Sequence, residues 1–185
     1  MEKNLVIGYT SGVFDLFHIG HLNILRNAKG MCDYLVVGVS TDELVMEYKN
    51  KKPIIPFLER MEIIRNLKCV DAVVPQYDMD KLTLCKQLKA NRVFVGGWYG
   101  TDKWDKLEEE LLKNGIMIIY FPYTKNISST MINSILDEKR QQLTTEQKES
   151  INETLEKQKE QGLQISSDCS NIPESNSLDE FKKEI

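Results

Sequence analysis

Histidine is almost missing from this chain: its 185 residues contain two, His18 and His21. That scarcity excludes the multi-histidine clusters that hold many catalytic transition metals. Cysteine is thin as well. Cys32, Cys69, Cys85 and Cys169 stand far apart with no C-x-x-C pair, which argues against a zinc module or a disulfide framework and fits reduced thiols in a cytoplasmic setting. No apolar run approaches the roughly 20 residues of a membrane-spanning helix, and the apolar stretch in MEKNLVIGYT is too short for a secretory signal. A soluble intracellular protein is the expectation. Clustered positive charge is also absent, the net charge being −4, so a general nucleic-acid surface is excluded.

The charge is uneven. From Asp137 onward there are 12 acids and 7 bases, net −5, which leaves 16 acids and 17 bases, net +1, in the first 136 residues. Aromatic residues vanish from the later region apart from Phe181. Residues 140–162 are predicted as a largely solvated helix and 163–185 as disordered, because little apolar surface offsets the entropy of ordering. The expected organisation is one domain over residues 1–136 and a polar helical extension with a disordered tail over 137–185. An appendage without chemistry fits that composition, and so does a docking or dimer-supporting element.

What is present is alternation. The runs Leu5 to Thr10, Tyr34 to Ser40, Asp71 to Pro75, Arg92 to Gly97 and Ile116 to Pro122 are short, apolar and β-branched, as buried strands are. Helical spacing fills the gaps at His21 to Lys29, Leu58 to Leu67, Lys81 to Lys89 and Trp104 to Lys113. Strand and helix in turn imply an α/β fold, a five-stranded parallel sheet with helices on both faces. Ligands of such sheets bind beyond the carboxyl ends of the strands. Residues 11–21, 41–52, 97–103 and 122–131 are therefore the segments of interest.

The first of these contains GVFDLFHIGH, residues 12–21. Neither the dinucleotide fingerprint G-x-G-x-x-G nor the P-loop pattern is present. A helix starting near His18 places His18 and His21 about one turn apart on one side. Gly20 between them removes the side chain that would keep a ligand from the backbone. The helix start offers unpaired N–H groups and partial positive charge to a phosphate. Two imidazoles there are suited to stabilising charge on a phosphorus centre, and Asp15 is placed to orient one of them or to cap the helix. A metal pair or ordinary buried histidines are the plain alternatives, although two ligands alone make a poor zinc site.

GVFDLFHIGH also resembles the signature of the cytidylyltransferases of the HxGH nucleotidyltransferase superfamily, most nearly those acting on glycerol 3-phosphate. The likeness spans residues 4–136. GMCDYLVVGVSTDE, ERMEIIRNLKCVDAVVP, GTDKWDKLE and TKNISSTMI resemble further segments of that family in the same order. The resemblance implies a Rossmann-like fold and a reaction in which a phosphate oxygen of the acceptor attacks the α-phosphorus of CTP, with Mg²⁺ present and pyrophosphate released. It also implies a homodimer. Catalytic roles fall to His18, His21 and Lys51, and acceptor contacts to Lys49 and Arg60, with Lys52 nearby. Nucleotide contacts are implied for Gly12, Val13, Phe14, Asp15, Gly20, Gly97, Trp98, Tyr123, Thr124, Lys125, Ile127, Ser128, Ser129 and Thr130.

Two segments depart from the pattern. Where the family reads R-T-E-G-I-S-T this chain reads YTKNISS, with Tyr123 at the arginine, Lys125 at the glutamate and Asn126 at the glycine. Asparagine tolerates positive φ well, so the turn is expected to survive. Where the family reads G-D-D-W this chain reads GGWYG, with Trp98 and Tyr99 in the stretch where carboxylates are expected. These changes leave ATP open as the nucleotide, other phosphorylated acceptors open as substrate, and a catalytically silent nucleotide-binding subunit as a reading of another class.

Overall fold

The computed structural model describes residues 5–97, 100 and 102–166, side chains at 103, 146 and 160–166 excepted. In chain order the elements are β1 (Ile7–Gly12), α1 (Ile19–Lys29), β2 (Tyr34–Ser40), α2 (Asp42–Lys49), α3 (Phe57–Arg65), β3 (Ala72–Gln76), α4 (Lys81–Gln87), β4 (Arg92–Gly96), α5 (Asp102–Lys113), β5 (Met117–Phe121), α6 (Ser129–Gln141) and α7 (Thr145–Ser166). The five strands form one sheet in the order β3-β2-β1-β4-β5, and every pairing is parallel. This is the expected Rossmann-like α/β architecture. Strand order reverses between β1 and β4, so the crevice for a ligand opens there.

The strands are apolar along their length because both faces are covered. On one face Tyr9, Val36, Val74, Val93 and Val95 pack with Cys85 and Leu88 from the α4 region and Leu111 of α5. On the other, Leu35, Val37, Val39, Val73 and Phe94 pack with Leu25 and Ala28 of α1 and Met61 and Ile64 of α3. Gly38 is required by packing between strands. A Cβ there would lie 2.3 Å from the Tyr9 hydroxyl.

Helix α2 is not among the helices that sequence spacing predicts. Thr41 caps it, its side chain accepting from the Leu44 N–H, with Asp42 and Glu43 in the first turn and Asn50 closing it in left-handed backbone at φ 48°. Asp71 lies at the amino end of the sheet. Its carboxylate accepts from the Leu35 N–H and the Lys29 ammonium, each at 2.6 Å.

The chain divides into two compact units between Ser129 and Thr130. The second carries most of α6 and all described residues of α7. Its described side chains are nearly all exposed, including Ile151 and Leu155. The solvated helix predicted over 140–162 is realised as the end of α6, a break at residues 142–144 and α7. Residues 167–185, most of the predicted disordered tail, lie outside the described residues. Among the described residues no helix is long and apolar enough to cross a membrane.

Arg60 corrects an expectation. Anticipated as an acceptor contact, it is 0 % exposed, and four of its five N–H groups are taken by the protein. Nε donates to the Ile55 carbonyl at 2.9 Å, one terminal nitrogen donates to the Val13 and Ser40 carbonyls at 2.5 and 2.9 Å, and the other donates to Asp42 at 2.5 Å. A planar five-donor fork suits this task, which a lysine could not perform. Arg60→Met is expected to lower stability by on the order of 3 kcal/mol, because buried acceptors lose their donors; urea denaturation measures it, and a change within experimental error contradicts the bracing role.

Candidate active site

The β1–α1 connection is strained. Phe14 and Leu16 hold left-handed backbone, with φ of 55° and 48°, which side chains of this size adopt only when their surroundings impose it. Asp15 between them is buried, and its carboxylate accepts from the backbone N–H of Ile54 at 3.0 Å, Ile55 at 2.9 Å and Leu16 at 3.1 Å. Its carbonyl accepts from the Ser129 hydroxyl at 2.7 Å. Asp15 thus ties three loop segments together, instead of capping α1 or orienting an imidazole.

The cap of α1 is His18 itself. Its backbone is extended and its Nδ1 accepts from the Gly20 N–H at 3.0 Å. With Nδ1 committed as an acceptor, the neutral ring carries its proton on Nε2. A Cβ on Gly20 would lie 2.8 Å from this ring, so the glycine makes room for His18. The space expected to admit a ligand to the backbone is partly filled by the imidazole.

His21 stacks on His18, ring centroids 3.9 Å apart and planes at 25°. Phe14 meets it edge-on at 5.4 Å and Phe17 lies at 5.6 Å. Burial first, then His18 and Lys49, push the His21 pKa down to about 4, against an upward pull from Asp15. Burial lowers that of His18 too. His21 Nδ1 is buried without a hydrogen-bond partner among the described residues; a proton there would face no acceptor among them, which assigns the proton of the neutral ring to Nε2. At neutral pH the pair therefore presents two uncharged N–H donors at a helix start with no acidic residue in its first turn.

A cavity of about 340 Å³ opens at the carboxyl ends of β1 to β4, lined by Ser11, Gly12 and Val13, by Ser40 and Gln76, and by Gly96. Tyr48, Lys49, Lys81 and Trp104 also line it, and among the described residues no carboxylate does. Lys81 reaches in from the first turn of α4, its ammonium donating to the Ser11 hydroxyl at 2.7 Å, and burial lowers its pKa. Sequence reasoning missed Lys81 and Gln76. The signal was available, since both lie just after or at the end of β3 and strand ends were the places of interest. Lys49 links cavity and histidines: it lines the first and its charge reaches the second. Lys51, expected in catalysis, is exposed on the loop after α2, as is Lys52; Lys49 is the lysine the fold brings to His21.

On the other side of β1, the segment after β5 approaches. The Tyr123 ring, 64 % exposed, covers Gly97, whose φ is 85° and where a Cβ would lie 2.3 Å from the ring. Thr124 accepts from the Asn23 amide at 3.2 Å, and the Ile127 side chain lies against Gly20. Asn126 has φ 65°, so the expected turn is present. Lys125 and Ser128 are exposed. Thr130 is exposed and belongs to the second unit. Trp98, together with Tyr99, lies outside the described residues.

Comparison with known proteins agrees with this geometry. The cytidylyltransferase-like family matches residues 9–135. A glycerol-3-phosphate cytidylyltransferase from Bacillus spizizenii is 37 % identical over 123 residues, covering 66 % of this chain and 91 % of the relative. An FAD synthase from Thermococcus sibiricus is 38 % identical over 125 residues, covering 66 % of this chain and 84 % of the relative. The crystal structure of a lipopolysaccharide core biosynthesis protein from Thermoplasma volcanium superposes with a TM-score of 0.56 at 27 % identity, over 67 % of this chain and all of that one. The stacked H-x-G-H histidines at the switch point of a parallel sheet thus sit inside a family match covering most of the chain, and the protein belongs to the cytidylyltransferase-like family of nucleotidyltransferases.

Proposed function

We propose that the chain transfers CMP from CTP to a phosphorylated polyol, glycerol 3-phosphate foremost, giving the CDP-alcohol and pyrophosphate. One observation carries this reading: the neutral His18–His21 pair stands where α1 begins after β1, and Lys49, whose charge reaches His21, also lines a cavity at the strand ends that holds Lys81 and, among the described residues, no carboxylate. An acceptor phosphate in the cavity is largely dianionic at neutral pH, so its oxygen attacks the α-phosphorus without a general base. The bond from that phosphorus to the β-phosphate oxygen breaks and pyrophosphate leaves. Positioning and charge neutralisation do the work, as in phosphoryl transfer generally. His18 and His21 donate from Nε2 to the α-phosphate oxygens, and the start of α1 with residues 123–129 receives the rest of the nucleotide.

Among the described residues no three His, Cys, Asp or Glu side chains converge to hold a metal ion. Magnesium accordingly enters this proposal as part of the substrate, carried on the triphosphate oxygens. The same chemistry with ATP is the second reading, favoured by Tyr123 standing where the family resemblance implies an arginine.

Pyrophosphate release from CTP is expected to require an acceptor phosphate, and CTP to outperform ATP, GTP and UTP; release with no member of a panel of polyol and amino-alcohol phosphates contradicts the proposal. His18→Ala and His21→Ala are each expected to lower kcat by about 10²-fold or more, as loss of an oxyanion donor does. Lys81→Ala is expected to raise KM for the acceptor much more than KM for CTP. The depressed pKa of His21 also has a sign for stability: the unfolded chain, with an ordinary value of 6.5, binds the proton more readily than the folded one at about 4. Its contribution is complete above pH 6.5 and is lost as pH falls towards 4. Urea denaturation at pH 7 and 4.5 should therefore show a smaller acid-side loss in His21→Gln than in the parent.

A further inference from the structure

Gln76 ends β3 beside the end of β2, its partner in register being Ser40. Its carbonyl accepts from the Thr41 N–H at 3.1 Å, which pins the backbone. Its side-chain Oε1 accepts from the Ser40 hydroxyl at 3.0 Å, which pins the amide. The residue is 4 % exposed, yet it lines the cavity, and its Nε2 has no hydrogen-bond partner among the described residues. Ser40 in turn neighbours the Tyr48 hydroxyl, which lines the same space. With its oxygen held by Ser40, the amide presents its Nε2 donors to whatever occupies the cavity.

We infer that Gln76 is a specificity-determining residue for the acceptor: its Nε2, on the wall formed with Ser40 and Tyr48, donates to a hydroxyl oxygen of the acceptor at the end away from its phosphate. The inference rests on the proposed transfer to a phosphorylated acceptor and names the class of molecule accepted. Charge selects in the same direction. Lys49 and Lys81 oppose a cationic group, and among the described residues no carboxylate lines the cavity to receive one. The acceptor is therefore an uncharged polyol bearing a phosphate, and phosphorylated amino alcohols are disfavoured. Sites built to hydrogen-bond a hydroxyl reject analogues that lack it, because the site's own polar group is left unpaired.

The experiment measures pyrophosphate release from CTP with glycerol 3-phosphate, propyl phosphate, phosphoethanolamine and phosphocholine, for the parent and for Gln76→Leu, a change that keeps bulk and removes the donor. Propyl phosphate is the reference acceptor because it carries the phosphate without hydroxyls. The parent is expected to prefer glycerol 3-phosphate to the other three by about tenfold or more in kcat/KM, the worth of a well-made buried hydrogen bond. In Gln76→Leu the preference over propyl phosphate should collapse, mainly through KM for glycerol 3-phosphate, with KM for CTP unchanged. Equal losses with glycerol 3-phosphate and propyl phosphate, or an unaltered ratio, overturn the role of Gln76 while leaving nucleotidyl transfer standing. A parent that favours phosphoethanolamine or phosphocholine overturns the assigned class. A parent inactive with every acceptor overturns the proposed function, and the inference with it.

Discussion

The buried guanidinium of Arg60 is the contact on which the working end of the first unit depends. From α3 it binds Val13 after β1, Ser40 at the end of β2, Asp42 at the start of α2 and Ile55 in the loop before α3. Those four places carry or adjoin what the chemistry uses. Val13 opens the loop that delivers His18, Ser40 stands on the cavity wall, and Asp42 begins the helix that ends in Lys49. Asp15 reinforces the arrangement by accepting from Ile54 and Ile55. A permanently charged residue is buried here at a cost that its hydrogen bonds offset.

Held in this way, the β1–α1 loop can keep a conformation it would not choose alone. Left-handed backbone at Phe14 and Leu16 turns the Phe14 ring against His21, and Gly20 leaves the gap into which His18 folds. The result is an electrostatic division of labour. The histidines are neutral donors because burial disfavours their charge, with His18 adding to the effect at His21, whereas the lysines Lys49 and Lys81 are placed in the cavity. In the proposed reaction the fixed donors meet the phosphorus centre and the lysines meet the phosphate that attacks it.

Much of the fold was legible in the sequence because buried parallel strands are continuously apolar, and all five strands appear within two residues of the expected starts. The histidine pair was legible because one helical turn brings positions three apart together. Residues acting across the sequence were not. Arg60 reads as an acceptor contact until its partners 47, 20, 18 and 5 residues away are known. Asp15 is three residues from His18, yet its partners lie 39 and 40 residues on. Lys81 and Gln76 sit after or at the end of β3, where the rule that singled out other strand ends applies equally. The turn at Asn126 was readable from residue type alone, since positive φ is a local property.

The central claim is that an oxygen of the acceptor's phosphate attacks the α-phosphorus of the nucleotide directly. Mass spectrometry of the products formed from CTP and an acceptor labelled with heavy oxygen in its phosphate group tests it. The account predicts that every labelled oxygen stays in the CDP-alcohol, one of them as the bridge between the two phosphorus atoms, and that the pyrophosphate is unlabelled. Label in the pyrophosphate, or a bridging oxygen that is unlabelled, would contradict it.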